Sequence, residues 1–216
     1  MMMKIVMNQL IAVNDTYVLN PRRKEALQRA AGLACRPYDA MTLTVAFFAV
    51  SLIGWLWEVS QHFVRTGQLV NRGTLYGPWL PIYGTAAVMM LVLLKRLAQR
   101  PGILFGCTVA VCGVIEYATS VVLEILFHTR WWDYSNMPLN IQGRICVGGL
   151  MLFGLGGCAV IYLIGPAIDR RVKKLPKAAA AAVLIILVLI FICDVIYSFT
   201  NIRTGAGITA PPYLFS

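Results

Sequence analysis

The sequence predicts an all-α membrane protein, a polytopic bundle of about five transmembrane helices. Apolar residues make up 59% of the 216 residues, charged residues make up 13%, and the mean hydropathy is +0.72. Soluble domains are far less apolar and carry more charge. A helix needs about 20 apolar residues to cross the hydrocarbon core, and the chain has room for four to six such spans. Short polar segments separate the apolar stretches, so we expect one compact bundle.

The first forty residues are predicted to form a basic cytoplasmic segment. The short apolar run at residues 1–13 is interrupted by Asn8 and Gln9 and is followed by no small-residue cleavage site, so we do not expect a cleaved signal peptide. Residues 20–35 begin with Asn20 and Pro21, which is typical of a helix start. This stretch is either a helix on the inner membrane surface or a solvated helical tail.

The transmembrane domain is predicted at residues 41–200, and an extracytoplasmic tail at residues 201–216. The expected spans are residues 41–61, 79–94, 103–127, 145–164 and 178–200. Glycines in the fourth span, Gly149, Gly156 and Gly157, are interpreted as packing positions that let neighbouring backbones approach closely.

The lysine and arginine distribution predicts the orientation. Fourteen of the 19 basic residues lie in the N-terminal flank and in the loops around residues 95–100 and 170–177. Cytoplasmic loops carry the excess of basic residues in membrane proteins. We therefore predict a cytoplasmic N-terminus, an external C-terminus and a location in the bacterial cytoplasmic (inner) membrane. The positive charge needs no nucleic-acid partner to explain it.

Two segments on the predicted outer side are candidates for a functional site. Residues 71–84 (NRGTLYGPWLPIYG) and 130–146 (RWWDYSNMPLNIQGRIC) combine arginines, aromatic residues, glycines and prolines. Glycine permits backbone conformations that other residues avoid and proline fixes the chain direction, so each segment should have a specified shape.

Charged residues of the membrane and outer half are balanced in number. The acids are Glu58, Glu116, Glu124, Asp133 and Asp194, and the bases are Arg65, Arg72, Arg130, Arg144 and Arg203. An ionised group in hydrocarbon costs several kcal/mol, so it normally faces a partner or a wet cavity. Residues 116, 120, 124 and 128 form one helical stripe that rises toward the outer surface. The pattern indicates either a polar site or ion pairs that only fix helix register.

The predicted substrate-binding residues lie in this region. They are Glu58, Arg72, Tyr83, Glu116, Trp131, Trp132, Asp133 and Arg144. The arginines would hold an anionic part of the ligand, and the glutamates would pair with them or carry protons. The aromatic residues would pack on an apolar part. An anionic or amphiphilic small molecule is therefore the expected ligand.

No cofactor or metal site is expected. The two histidines lack an accompanying ligand set, and the six cysteines are interpreted as small core residues without CxxC spacing. The sequence contains no phosphate-binding loop and no familiar hydrolase motif. Any use of ATP would need a separate ATP-binding subunit.

Several motifs together resemble a known family. They are Trp55-x-Trp57-Glu58, the block at residues 71–84, Glu116-Tyr117, Trp131-Trp132-Asp133-Tyr134-Ser135 and Asn140-x-x-Gly143-Arg144-Ile145. The chain resembles, over about residues 41–165, the bacterial membrane family labelled "putative ABC-transporter type IV" or CmpB-like. The resemblance implies a multi-span, permease-like membrane protein.

The favoured function is a membrane transport or solute-binding component in contact with membrane lipids. One alternative is a membrane enzyme acting on a lipid or lipid-linked substrate, in which Glu58, Glu116 or Asp133 would serve as general acid or base. A structural or regulatory subunit is the other alternative. Self-association and a separate ATP-binding subunit are both compatible with the sequence.

Overall fold

The protein is described by a computed structural model that covers Glu25 and residues 37–128 and 130–201. The predicted helix at residues 20–35 and the tail after Asn201 lie outside these ranges. The division into a basic segment, a membrane domain and a tail therefore stays a prediction.

Five helices in the described ranges are long and apolar enough to cross a membrane. They are α1 (Ala40–Thr66), α2 (Pro81–Gln99), α3 (Pro101–Phe127), α4 (Val147–Val172) and α5 (Lys177–Thr200). A two-stranded antiparallel hairpin, β1 (Asn140–Ile141) and β2 (Ile145–Cys146), precedes α4. The predicted fold class is confirmed in its helical, membrane-spanning character.

The helix boundaries differ from the predicted spans at several ends. α1 continues to Thr66, where Gly67 takes a positive φ of 72° and its amide donates to the carbonyl of Phe63. At about 1.5 Å per residue its 27 residues exceed the hydrocarbon thickness of about 30 Å. α4 likewise runs eight residues beyond the predicted Ile164 and ends in a basic turn. Hydropathy marks the apolar part of each helix, whereas the helical backbone continues beyond that part.

Two of the helices contain a wide turn near the middle of the bundle. α2 has a π-helical turn at Met90–Leu94, followed by a 3-10 segment at Lys95–Gln99, and α4 has a π-helical turn at Val160–Ile164. The two wide turns contact each other, and both are deeply buried, with Leu91 1% and Ile161 0% exposed. The core of the bundle therefore forms where α2 and α4 cross.

Small residues allow the helices to approach closely. A Cβ added at Gly84 would meet the Phe47 carbonyl oxygen at 2.5 Å, and one added at Gly157 would meet Met90 Sδ at 2.7 Å. The predicted packing role of Gly157 is confirmed. At Gly156 no described atom lies within 4 Å of such a Cβ, so the same prediction is wrong there. Glycine content alone does not tell which helix face meets a neighbour.

The connections divide the bundle into two different ends. α1–α2 and α3–α4 are joined by long polar segments, which we call the first outer segment (residues 67–80) and the second outer segment (residues 130–144). α2–α3 and α4–α5 are joined by short basic turns at the opposite end, which we call the basic end. Consecutive helices run in opposite directions, so both outer segments share one end.

Candidate functional site

The first outer segment is folded onto α1 by buried apolar side chains and specific hydrogen bonds. Leu75 and Leu80 are 2% and 8% exposed, and the Leu80 amide donates to the Ser51 carbonyl at 3.0 Å. Asn71 accepts from the Trp55 indole at 2.6 Å and donates to a backbone carbonyl in the same segment at 2.7 Å. The segment therefore has a defined shape, as its glycines and prolines predict.

A carboxylate of α5 holds the same segment from the other side. Asp194 Oδ2 accepts from the Trp79 indole at 2.7 Å and from the Gly77 amide at 3.0 Å. Ser198 accepts from the Tyr76 amide at 3.1 Å and donates to Asp194 Oδ1 at 3.3 Å. The sequence predicts that Asp194 faces arginines, but the donors found here are an indole, an amide and a hydroxyl. Asp194 therefore attaches α5 to the segment.

The second outer segment is organised around Asp133. Its Oδ1 accepts from the Ser135 amide at 2.9 Å and from the Ser135 hydroxyl at 2.5 Å. These hydrogen bonds lower the pKa of Asp133 below its usual value, because they favour the charged form. The Tyr134 amide donates to the Gly143 carbonyl at 2.7 Å, which closes the segment on itself. Gly143 has a φ of 65°, which is unfavourable for residues with a side chain.

Charged side chains dock the second outer segment on α3. Arg144 donates to the Ser120 hydroxyl at 3.0 Å and forms a close ion pair with Glu124. Arg130 binds the other Glu124 oxygen at 3.2 Å. The guanidinium of Arg144 also lies 5.8 Å from the centre of the Tyr117 ring. Glu124 is therefore shared by two arginines, and the predicted stripe on α3 faces the segment.

Two glutamate–tyrosine pairs lie between α1, α2, α3 and the second outer segment, and we call them the Glu–Tyr cluster. Tyr83 donates to Glu58 at 2.8 Å, and Tyr134 donates to Glu116 at 3.0 Å. The two carboxylates are close enough to interact electrostatically. Burial, reinforced by the charge of Glu116, raises the pKa of Tyr134 above its usual range, so Tyr134 stays protonated as a donor. Arg72 pairs with Glu58 at 3.8 Å, which connects the cluster to the first outer segment.

Glu116 differs from the other acids because it is almost fully buried. It is 5% exposed, and its Oε2 atom accepts no hydrogen bond from residues 37–128 or 130–201. A buried carboxyl oxygen without a donor is costly. A donor from a bound molecule would remove the cost, and a proton on that oxygen would lower it by neutralising the charge. The cluster can thus bind a hydrogen-bond donor or exchange a proton at Glu116.

The predicted site residues fall into two groups. Glu58, Arg72, Tyr83 and Glu116 come together in or beside the Glu–Tyr cluster. The remaining four residues organise the second outer segment. Asp133 accepts from Ser135, and Arg144 pairs with Glu124. Trp132 donates to the Arg144 carbonyl at 2.9 Å, and the buried Trp131 ring lies 5.2 Å from the centre of the Phe127 ring.

Two residues of the site were absent from the predicted set. Tyr134 supplies the donor to Glu116, and Glu124 binds two arginines. A signal for Glu124 exists in the sequence, since it follows Glu116 on the same stripe of α3. Tyr134 stands within the aromatic block of the second outer segment, but only the turn closed at Gly143 directs it to Glu116. Within the described part of the chain, no group of three or more His, Cys, Asp or Glu residues could hold a metal ion.

Comparison with known proteins gives one match. The family model described as "Putative ABC-transporter type IV" matches residues 45–199, well over half of the chain. No curated protein and no solved structure matches it. The matched range includes all five helices and both outer segments, apart from the first five residues of α1 and the last residue of α5. This multi-pass membrane protein therefore belongs to the putative ABC-transporter type IV family.

Proposed function

We propose that the protein is a membrane transport or solute-binding component, with a binding site at the Glu–Tyr cluster for an anionic or amphiphilic small molecule. The family description supports a relation to ABC transporters. Five spanning helices and a polar cluster beneath two shaped segments suit a permease-like role.

The observation that carries the proposal is the buried Glu116 carboxyl. Its Oε1 is held by Tyr134, whereas its Oε2 lacks a hydrogen-bond partner among the described residues. In the ion pairs of Glu124, by contrast, each carboxylate oxygen is paired with an arginine. A carboxyl that serves only to hold helices together would gain nothing from an unused oxygen. A ligand donor or a transferable proton gives that oxygen a role.

Arg72 is the best-placed group for an anionic part of the ligand. Its ion pair with Glu58 at 3.8 Å places the guanidinium beside the Glu–Tyr cluster, whereas Arg144 pairs with Glu124 and Ser120. A ligand anion could replace Glu58 as the ion-pair partner of Arg72, while Glu58 still accepts the hydrogen bond from the Tyr83 hydroxyl. Arg144 would instead act by fixing the second outer segment over the cluster.

Mass spectrometry of co-purifying small molecules tests this function. We expect an anionic or amphiphilic molecule to co-purify with the natural protein and to be lost from Glu116→Gln and Arg72→Ala variants that insert normally. Arg65→Ala is the matched control, because Arg65 is an exposed arginine at the outer end of α1. The proposal is wrong if all four proteins retain the same molecules.

A separate ATP-binding subunit is the partner that an ABC-type transporter would require. The family description supports such a partner, and the sequence carries no phosphate-binding loop of its own. Purification from native membranes in mild detergent should yield a nucleotide-binding protein in stoichiometric amount. Recovery of this chain alone, or with an external partner only, would instead favour energy-independent binding or a regulatory role.

A further inference from the structure

The basic end of the bundle carries an apolar groove that the Glu–Tyr cluster does not involve. The groove has a volume of about 190 Å³. Met41 and Val45 of α1 form one wall, and Val172 at the end of α4 closes it. Ala180 and Leu184 of α5 form the opposite wall. The groove is apolar throughout its lining, so an acyl chain is a chemically suitable occupant.

The sequence of α5 explains why this space is left unfilled. α5 begins with the run Lys177-Ala-Ala-Ala-Ala-Ala, so its first turns present methyl groups where longer side chains would reach α1. Only 6% of its most apolar window is buried within the protein, against 22% or more for each of the other four helices. α5 is therefore a peripheral helix whose first turns stand apart from the bundle.

The mouth of the groove carries positive charge. Five exposed basic residues surround the α4–α5 turn: Arg170, Arg171, Lys173, Lys174 and Lys177. Asp169 pairs with Lys173 at 2.7 Å, and Asp39 is close enough to Lys173 and Lys177 for their charges to lower its pKa. Asp39 and Asp169 therefore offset two of the five positive charges, so a net positive charge remains around the turn.

We propose that this groove is a binding site for an anionic phospholipid. One acyl chain would lie against Val45, Val172 and Ala180, with the phosphate near Lys173 and Lys177. An apolar groove that ends at a basic surface matches an amphiphile with a negative head group. A zwitterionic phospholipid offers the same chains without the net charge, so the charge predicts selectivity for anionic head groups.

Native mass spectrometry of the full chain tests the proposal. The protein is purified in detergent and exposed to phosphatidylglycerol or phosphatidylcholine. We expect preferential retention of phosphatidylglycerol. Retention should fall on the order of tenfold in the double variant Lys173→Gln/Lys177→Gln, because each basic residue near the head group attracts an anionic lipid. The matched control, Arg96→Gln/Arg100→Gln, removes two exposed charges from the same end but outside the groove. We expect it to retain lipid normally.

Groove-filling variants test the apolar half of the site. Ala180→Phe should reduce retention of phosphatidylglycerol, and Ala180→Leu is the milder alternative if the larger side chain prevents insertion. A site in this groove would be contradicted if Lys173→Gln/Lys177→Gln and its control Arg96→Gln/Arg100→Gln lost phosphatidylglycerol equally. Full retention of phosphatidylglycerol in the groove-filling variant would also contradict it. Equal retention of the two lipids would contradict the selectivity. If lipid binds only after removal of residues 1–36, the protein's own N-terminal segment occupies the groove and the proposal is wrong.

Discussion

Two aspartates determine the local shape of the outer end by accepting hydrogen bonds from neutral donors. Asp133 accepts from the amide and hydroxyl of Ser135, and Asp194 accepts from the Gly77 amide and the Trp79 indole. Hydrogen bonds to a charged group are worth more than those between neutral groups, and they are directional. An acidic residue at this end of the bundle can thus define backbone geometry through neutral donors.

Gly143 is the glycine whose replacement should disturb the second outer segment most directly. Its φ is 65°, and an added Cβ would lie 2.5 Å from Asp133 Oδ1 and also collide with the Ser135 hydroxyl. Gly143→Ala should therefore destabilise the protein by about 1–3 kcal/mol, which is measurable as a lower thermal unfolding temperature in nanodiscs. Gly148→Ala is the control, because no described atom lies within 4 Å of a Cβ there. Equal stability of the two variants would contradict the strained geometry.

Asp39 caps the N-terminus of α1, since its Oδ1 accepts from the Thr42 amide at 2.7 Å. Asp39→Ala should cost about 1 kcal/mol, and Asp39→Asn should cost less. Hydrogen bonds from Thr42 lower the pKa of Asp39 in the folded state. The stability that the charged Asp39 side chain contributes is therefore present above the pKa of an unfolded aspartate, about 3.9. It is lost as the pH falls through the lower pKa of the folded state.

Thermal unfolding at pH 7 and at pH 3 measures this effect. The difference between the natural protein and Asp39→Ala should shrink at the lower pH. A difference that is unchanged or larger at pH 3 would show that the carboxylate does not act as the cap.

At the scale of elements, α5 is held mainly by its outer half. Phe191 packs edge-on against Phe47, Phe48 and Trp79, with ring centres 5.5–5.7 Å apart. Asp194 lies one turn further along and binds the first outer segment. The opposite end begins with a run of five alanines, whose short side chains leave the groove beside α1 open. α5 is therefore an anchored helix with one loosely packed end.

Removal of the Asp194 side chain should loosen this anchor. Asp194→Ala leaves a half-buried amide and a half-buried indole without their acceptor, which costs about 1–3 kcal/mol. Asp194→Asn retains one oxygen and should give an intermediate loss. The adjacent Cys193 is exposed, so Cys193→Ala is the matched control and should have little effect. Thermal unfolding together with limited proteolysis of the α5 ends measures the change. Unfolding temperatures that are the same for both alanine variants would exclude the anchoring role.

At the scale of the whole molecule, the two ends of the bundle have different chemistry. The outer end combines shaped segments, ion pairs and the Glu–Tyr cluster. The basic end has short turns and an excess of lysines and arginines over acids. The positive-inside rule predicts that the basic end faces the cytoplasm, and a solute would then reach the cluster from the outside.

Labelling with a membrane-impermeant thiol reagent tests this orientation in intact cells. In a cysteine-free background, Leu69→Cys at the outer end should be labelled, and Lys174→Cys at the basic end should react only after permeabilisation. Both positions are exposed, so accessibility depends on the side of the membrane. The reverse labelling pattern would place the outer segments in the cytoplasm and contradict access from outside.

The sequence by itself determined the class, the number of spans and the helix faces that carry charge. These properties are local, since a span needs only a long enough apolar stretch and a helical stripe follows from a period of about 3.6 residues. The sequence alone therefore assigns Glu58 and Glu116 to one candidate cluster. The family resemblance follows from equally local motifs.

Only the tertiary structure decided which charged groups meet. Arg144 pairs with Glu124 on the same stripe that carries Glu116, while Tyr134 binds Glu116. Asp194 binds an indole and an amide. Sequence periodicity gives the face of a helix but not its rotation and height relative to its neighbours, which depend on packing at sites such as Gly84 and Gly157. The turn of the second outer segment is likewise set by hydrogen bonds between distant residues, and that turn selects the side chain that reaches the buried carboxyl.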